Sequence, residues 1–379
     1  METPDKEKYS TERVLYIAYE LSQSTWKIGF GTGQKGKARI RTIDAGEMQS
    51  MQIEIAEAKK KYRLGEEVEV KSCYEAGLDG FWVHRYLEKA GIENIVVDPS
   101  SMEVDRRAKR VKTDRLDVQK LLRHLMQYHL GDRDVWKVLH IPSEEEEDQR
   151  HLHRQYKSFQ RDRGRHRNRI YGLLKTQGVE LKVSANFLEE IERVRKWNGE
   201  ALPPGLQRRI KREYRQLQFL DAQIEDLVQE RKELIATGES VALQQVRELM
   251  KLKGIGENGA WLLVMEFFGW RKFQNRRQVG GAAGLVPSPY DSGGSHREQG
   301  ITKAGNRWVR EMIIQLAWLW LRYQPDSALS QWWCTRYATA SKREKKRGIV
   351  ALARKLLIAL WQYLDKGLIP EGAEFKPVP

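Results

Sequence analysis

The order of short apolar stretches near the start of the chain limits its fold more than any other feature. Residues 13 to 43 carry three β-type stretches, RVLYIAYEL, TWKIGFG and ARIRTID, separated by polar or glycine-containing turns, which predicts an antiparallel meander. A helix is predicted from about Glu47 to Tyr62. A strand in EVEVKSCYE (67 to 75), an amphipathic helix in GFWVHRYLEKAG, a strand in NIVVD (94 to 98) and a helix from about Thr113 to Tyr128 follow.

Three antiparallel strands followed by alternating helices and strands is the order of an RNase H-like α/β domain. Beyond it the chain turns helical. Ser143 and Glu146 in PSEEEEDQR form a capping-box pattern that opens a long helix ending near Lys175. The next helix, about 206 to 236, spaces Leu217, Leu220, Ile224, Leu227 and Leu234 as a heptad seam interrupted by Arg231, which suits two antiparallel helices or a coiled coil between subunits. PPG at 203 to 205 and ATGES at 236 to 240 mark breaks on either side. The predicted fold is therefore α/β plus all-α. An RNase H-like domain spans 1–142, a basic helix and coiled-coil region 143–240, and a mostly helical domain 241–379.

Lys and Arg number 67 against 52 Asp and Glu, a net charge of +15, which predicts a polyanionic partner, nucleic acid first and an anionic membrane surface second. The two cysteines, Cys73 and Cys334, form no metal or disulfide motif and fit a reducing cytoplasm. The longest greasy runs, WLLVMEFFG and IIQLAWLWL, are too short to cross a bilayer and predict buried helices, Trp318 and Trp320 included.

Chemistry enters with the carboxylates. Asp114 and Asp117 in KTDRLDVQKLL share one helix face, a spacing that suits metal binding and equally suits ordinary stabilisation of a helix start. Glu20 and Glu75 close the first and fourth predicted strands. In an RNase H-like sheet those ends lie side by side under the last helix, so four carboxylates would converge and hold one or two Mg²⁺ ions, which prefer hard oxygen ligands.

The positive charge is concentrated as well. Between Arg150 and Lys175 stand nine Lys or Arg against one acid, Asp162, and Arg161, Arg165 and Arg169 form a stripe suited to a phosphate backbone. GIGENG (254 to 259) matches a dinucleotide-binding glycine pattern but follows a helical stretch instead of a strand. Helix, Gly254-Ile-Gly256, helix is instead the layout of a phosphate-binding helix-hairpin-helix, or of a plain helix-helix turn. His151, His153, His166 and His296 show no metal-ligand spacing.

SPYDSGGSHREQGITKAG (288 to 305) reads as an exposed glycine-rich loop holding Ser288, Ser292 and Ser295 and closed by Arg297 and Lys303, two further candidate nucleic-acid contacts. By composition alone the serines are ordinary turn residues.

ELSQSTW (20 to 26), YEAG (74 to 77), KTDRLD (112 to 117), GIGENGA (254 to 260), GLVPSPYDSGG (284 to 294) and GITKAGNRWVR (300 to 310) together resemble the DEDD transposases of the insertion-sequence family numbered one-ten and its relative numbered eleven-eleven. The resemblance runs from about residue 13 to 363. It implies a RuvC-like domain joined through a coiled coil to a transposase domain. The activity it implies is DNA recombination on donor and target DNA, guided by a bridge RNA, in a dimer or tetramer within a prokaryotic, nucleoid-associated cytoplasm. It puts the DEDD positions on Glu20, Glu75, Asp114 and Asp117, with Glu where the family usually has Asp at the first, and the nucleophile on Ser292. Asp291 stands where the family often has a second serine. Two other functions fit the same residues: a RuvC-type nuclease that uses water, and a non-catalytic nucleic-acid-binding relative.

Overall fold

The computed structural model describes residues 14–33, 38–101, 114–292 and 295–377, without the side chains of Ser100, Asp114, 289–292 and 295–299. The chain divides into two compact units, one up to Ile141 and one from Pro142.

The first unit is built on β1 (Leu15–Leu21), β2 (Thr25–Gly31), β3 (Arg39–Asp44), α1 (Met48–Tyr62), β4 (Val70–Glu75), α2 (Trp82–Lys89), β5 (Glu93–Val97) and α3 (Asp114–His129). Its sheet has the order β3-β2-β1-β4-β5, with β2 antiparallel to β1 and β3, and β4 parallel to β1 and β5. Strand β1 lies at the centre and is covered on both faces, which is why its sequence is an almost unbroken apolar run. Leu15, Ile17 and Tyr19 join one core with Trp26, Ile28 and Phe30, while Tyr16 and Ala18 join the other with Leu121, Leu122 and Leu125 of α3.

Two glycines of β2 make room for α3. A Cβ on Gly29 would lie 2.4 Å from Val118 Cγ1, and one on Gly31 3.3 Å from Leu122 Cδ2. The GFG of the second stretch thus serves close helix-on-sheet packing, with Phe30 filling the opposite face.

The second unit opens with α4 (Glu144–Lys175), whose capping box is present: Ser143 Oγ accepts from the Glu146 amide at 3.1 Å, and Glu146 accepts from the Ser143 amide at 2.8 Å. After α5 (Phe187–Arg193), α6 (Pro204–Thr237) returns antiparallel to α4, pairing Arg163 with Asp221 and His166 with Glu213. The heptad residues Leu217, Leu220, Ile224 and Leu227 are buried, with Ile224 and Leu227 against Tyr156 of α4, so the seam is filled from within the chain. Ile235 is buried in place of the expected Leu234, which is half-buried, because Arg231 occupies the seam one turn earlier.

Helices α7 (Val241–Lys251), α8 (Glu257–Leu263), a π-helical turn (Val264–Phe268), α9 (Arg276–Ala282), strands β6 (Pro287–Ser292) and β7 (Ser295–Ile301), then α10 (Arg307–Tyr323), α11 (Ala328–Tyr337) and α12 (Lys342–Lys366) complete the unit. Its core includes Trp261, Phe267, Trp320 and Leu356. Among the described residues no helix is long and apolar enough to cross a membrane.

Two expectations are corrected here. The glycine-rich stretch is in large part an antiparallel hairpin, with Ser292 opposite Ser295 and Tyr290 opposite Arg297. Pro, Ser, Asp and Gly disguise strands, because pairing with a neighbour and not local propensity creates them. Trp318 is 47% exposed on α10, whereas Trp320 is buried and donates to Ser327 Oγ at 2.8 Å. Two residues apart on a helix, the two rings cannot face the same core.

Gly29→Ala should destabilise the protein by about 1–3 kcal/mol through overpacking against Val118. Urea denaturation checks this. Adding Val118→Ala should recover part of the loss, and a wild-type midpoint for Gly29→Ala would contradict the packing described.

Candidate functional site

The parallel register of β1 and β4 runs from Leu15 opposite Val70 to Tyr19 opposite Tyr74. Glu20 and Glu75 come next on these neighbouring strands. Alternation puts both on the face of Ala18 and Cys73, the face that packs on α3. Asp117 stands one turn before Leu121 on that helix. Glu20, Glu75 and Asp117 are all half-buried. Among the described residues no group of three or more His, Cys, Asp or Glu is close enough to hold a metal ion. Asp114 opens α3, and its side chain is outside the described atoms.

The neighbours behind this face are inert. Burial pushes the Cys73 thiol and the Tyr19 phenol well above their ordinary values, so both stay neutral. Lys27 is the cross-strand partner of Glu20 on β2 and brings one positive charge to the acidic edge.

On α4, Arg161, Arg165 and Arg169 are exposed along one stripe. Arg165 meets Asp162 at 2.9 Å and Arg169 meets Glu213 at 3.4 Å, exposed pairs that contribute little and leave the side chains available. Arg161 has no acidic partner among the described residues. Counting acids along α4 alone overstated its charge, since Glu213 and Asp221 of α6 answer His166, Arg169 and Arg163.

The turn Leu252–Gly256 joins α7 to α8. Gly254 has φ +85°, and a Cβ there would lie 3.3 Å from the Leu319 carbonyl oxygen, so this glycine serves a tight turn against α10. Gly256 caps α8 with open space around its Cα. Glu257, next in the chain, pairs with the buried Arg231, whose guanidinium also lies 5.2 Å from the Tyr156 ring centre. The interruption of the heptad is thus a tie between α6 and the first turn of α8.

The residues that sequence reasoning missed lie deeper. Glu266, in the π-helical turn, is 1% exposed. Arg154 of α4 grips both its oxygens, Nε to Oε1 at 2.8 Å and Nη2 to Oε2 at 3.2 Å, and Asn306 Nδ2 donates to Oε2 at 3.3 Å. The ion pair holds the Arg154 guanidinium above its ordinary value. Asn306 also caps α10, accepting from the amides of Trp308 and Val309. A lone acid in the greasy run WLLVMEFFG was the available signal.

His153 lies one residue before this arginine and is fully buried, with neither ring nitrogen hydrogen-bonded among the described residues. Burial, aided by Lys157, Arg231 and Arg154, pushes it down to about 3.

The hairpin stands on a base in which two glycines meet backbone. A Cβ on Gly284 (φ +66°) would lie 2.3 Å from the Ala304 oxygen, and one on Gly305 (φ +114°) 2.1 Å from the Ala282 oxygen. Four backbone bonds close the base: Leu285 to Gly280, Thr302 to Val286, Lys303 to Gly284 and Asn306 to Ala282. Exposed Lys303 takes a left-handed φ of +56°, and its carbonyl accepts from Arg310 at 3.1 Å. Ser292 ends β6 at the far end of this hairpin, and the side chains of Ser292, His296 and Arg297 are outside the described atoms.

Residues 246–331 match the model of the family described as "Transposase IS116/IS110/IS902 family", a stretch that holds Glu266, the hairpin and Asn306. The chain is 40% identical over 375 residues to "Putative transposase y4rJ" of Sinorhizobium fredii (strain NBRC 101917 / NGR234), covering 96% of this chain and 94% of the relative. It is 26% identical to the transposase for insertion sequence element IS1328 of Yersinia enterocolitica, over 58% of this chain and 63% of the relative. With the transposase for insertion sequence element IS1111A of Coxiella burnetii (strain RSA 493 / Nine Mile phase I) it shares 27% identity over 52% and 53% of the two chains.

Glu266→Gln should cost about 2 kcal/mol in urea denaturation, less than a fully buried pair because Arg154 keeps water on one side. Wild-type stability would contradict the role given to the pair. His153 makes stability depend on pH. The unfolded chain takes up a proton near 6.5, whereas the native imidazole stays neutral down to about 3. Stability is therefore unaffected above pH 7 and falls by about 1.4 kcal/mol per unit as pH drops below 6.5. Denaturation at pH 7.5 and 5.5 should show a drop in the wild type that is smaller by about 1.4 kcal/mol in His153→Phe. Equal drops would contradict it.

Proposed function

The chain belongs to the IS116/IS110/IS902 family of transposases, and from that membership we propose that it cuts and rejoins DNA through Ser292 as nucleophile. The observation that carries this is the mounting of the serine. Ser292 sits on a hairpin whose base is fixed by the backbone contacts of Gly284 and Gly305 and by Asn306, which hydrogen-bonds the buried Glu266. A nucleophile gains rate from being held in place, and a hairpin anchored at its base supports that reading.

In the proposed step the Ser292 oxygen bonds to a DNA phosphorus as the bond from phosphorus to the 3′ oxygen breaks. The serine proton passes to a base, the departing 3′ oxygen takes up a proton, and a 5′-phosphoserine link remains for rejoining. The energy of the broken ester is kept in the new one, so no outside energy source is required.

The first unit, whose strand order supports a RuvC-like assignment, supplies the carboxylates Glu20, Glu75, Asp114 and Asp117 in this proposal. Their hard oxygens suit Mg²⁺, which when bound would neutralise charge on the reacting phosphate. Glu20 and Glu75 at adjacent strand ends are the part of the set that the sheet fixes. With the acids in one unit and the serine in the other, the chemistry needs the two brought together within one chain or between copies in a dimer or tetramer. Arg161, Arg165, Arg169, Gly254, Gly256, Arg297 and Lys303 are the proposed contacts to DNA and to a bridge RNA that guides the choice of site.

Ser292→Ala should abolish covalent protein–DNA adducts on a nicked substrate while nucleic-acid binding persists, as read by denaturing gels and a mobility shift. Adducts that survive the change would sink the serine assignment.

A further inference from the structure

Within the second unit a cleft of about 460 Å³ opens between α4, α8 and α10. Its lining is mainly polar, with Lys157 and Arg161 of α4 on one wall and Leu262, Trp308 and Met312 as the apolar part. Among the described residues neither Lys157 nor Arg161 has an acidic partner, whereas Arg307 on the opposite wall is answered by Glu311 at 2.6 Å. The cations of α4 are therefore the ones left to attract an anion.

Trp308 is held in place. The Arg154 guanidinium lies 5.9 Å from its ring centre and the His153 ring meets it edge-on at 69°, centroids 6.5 Å apart. Arg154 is itself fixed by Glu266. A positioned indole beside unpaired cations is the pairing that single-stranded nucleic acids use, bases stacking on the ring and phosphates meeting the charge. The volume is that of a small-ligand site, large enough for one nucleotide and too small for a duplex. Gln160, whose amide nitrogen donates to the Tyr156 hydroxyl at 2.6 Å, and Gln315 line the same cleft.

We propose that this cleft takes one unstacked nucleotide of a single strand, its base on Trp308 against Met312 and its phosphate toward Lys157 and Arg161. The proposal rests on the chain's handling of nucleic acid and adds that its second unit binds an unpaired base. DNA opened at a recombination site and an unpaired stretch of RNA present the same chemistry.

Fluorescence anisotropy with the full-length protein tests it, using short oligothymidylate, oligouridylate, their abasic counterparts and duplex DNA. The wild type should bind an intact strand about tenfold more tightly than the abasic one. Trp308→Leu should lose that difference and keep its duplex affinity. The stronger of the thymidylate and uridylate arms identifies the source. Should Trp308→Leu fail to fold, Lys157→Gln/Arg161→Gln should lower the salt slope of strand binding by about 0.7, the share of one phosphate contact. A wild type indifferent to the missing bases, a Trp308→Leu protein that still senses them, or an unchanged salt slope would overturn the proposal. If the wild type bound neither strand nor duplex, the nucleic-acid function itself would fall. Intact duplex binding with no base dependence would remove the cleft assignment alone.

Discussion

A buried carboxylate has to be answered, and the second unit is arranged around answering one. Glu266 is 1% exposed in the middle of an apolar helix, where an unpaired charge would cost several kcal/mol. Arg154 reaches it from α4 with a two-point grip, and Asn306 reaches it from the cap of α10. Three segments far apart in sequence are thereby fixed at one point. Because Asn306 also closes the hairpin base through its backbone bond to Ala282, the same carboxylate is tied to the place where β6 begins and β7 ends. The π-helical turn around Glu266 fits this role, since such turns concentrate at functional positions and re-aim the side chains they carry.

The two units differ in the side chains they bring together. The sheet of the first supplies adjacent carboxylates, because parallel pairing of β1 and β4 carries Glu20 and Glu75 to the same level on one face. The second supplies cations, aromatics and the hairpin. Glu20 stands where the families that the sequence resembles usually have Asp, and its side chain is longer by one methylene.

Much of the fold was legible in the sequence, for identifiable reasons. The strand order followed from apolar runs bounded by turn residues, and the start of α4 from Ser143 and Glu146, both local signals. The long-range ties were not legible. Arg154 and Glu266 stand 112 positions apart, and Arg231 and Glu257, though nearer, meet only because the fold brings Arg231 of α6 to the start of α8. The acids that temper the basic stripe belong to a different helix, so a count along α4 could not include them. The hairpin was hidden because its strands are made of residues that prefer turns. Of the candidate site, the placement of Glu20 beside Glu75 was readable from strand ends, while the fixed base under Ser292 emerged only from glycines whose missing Cβ atoms admit a facing carbonyl.

The central claim is that Ser292, and not a neighbouring hydroxyl or water, joins the DNA. Mass spectrometry of a trapped protein–DNA adduct tests it most directly, since a tryptic peptide ending at Arg297 contains Ser288, Ser292 and Ser295 together. Fragmentation should place the nucleotide remnant on Ser292. A remnant on another residue, or cleaved DNA with no protein attached, would contradict the account.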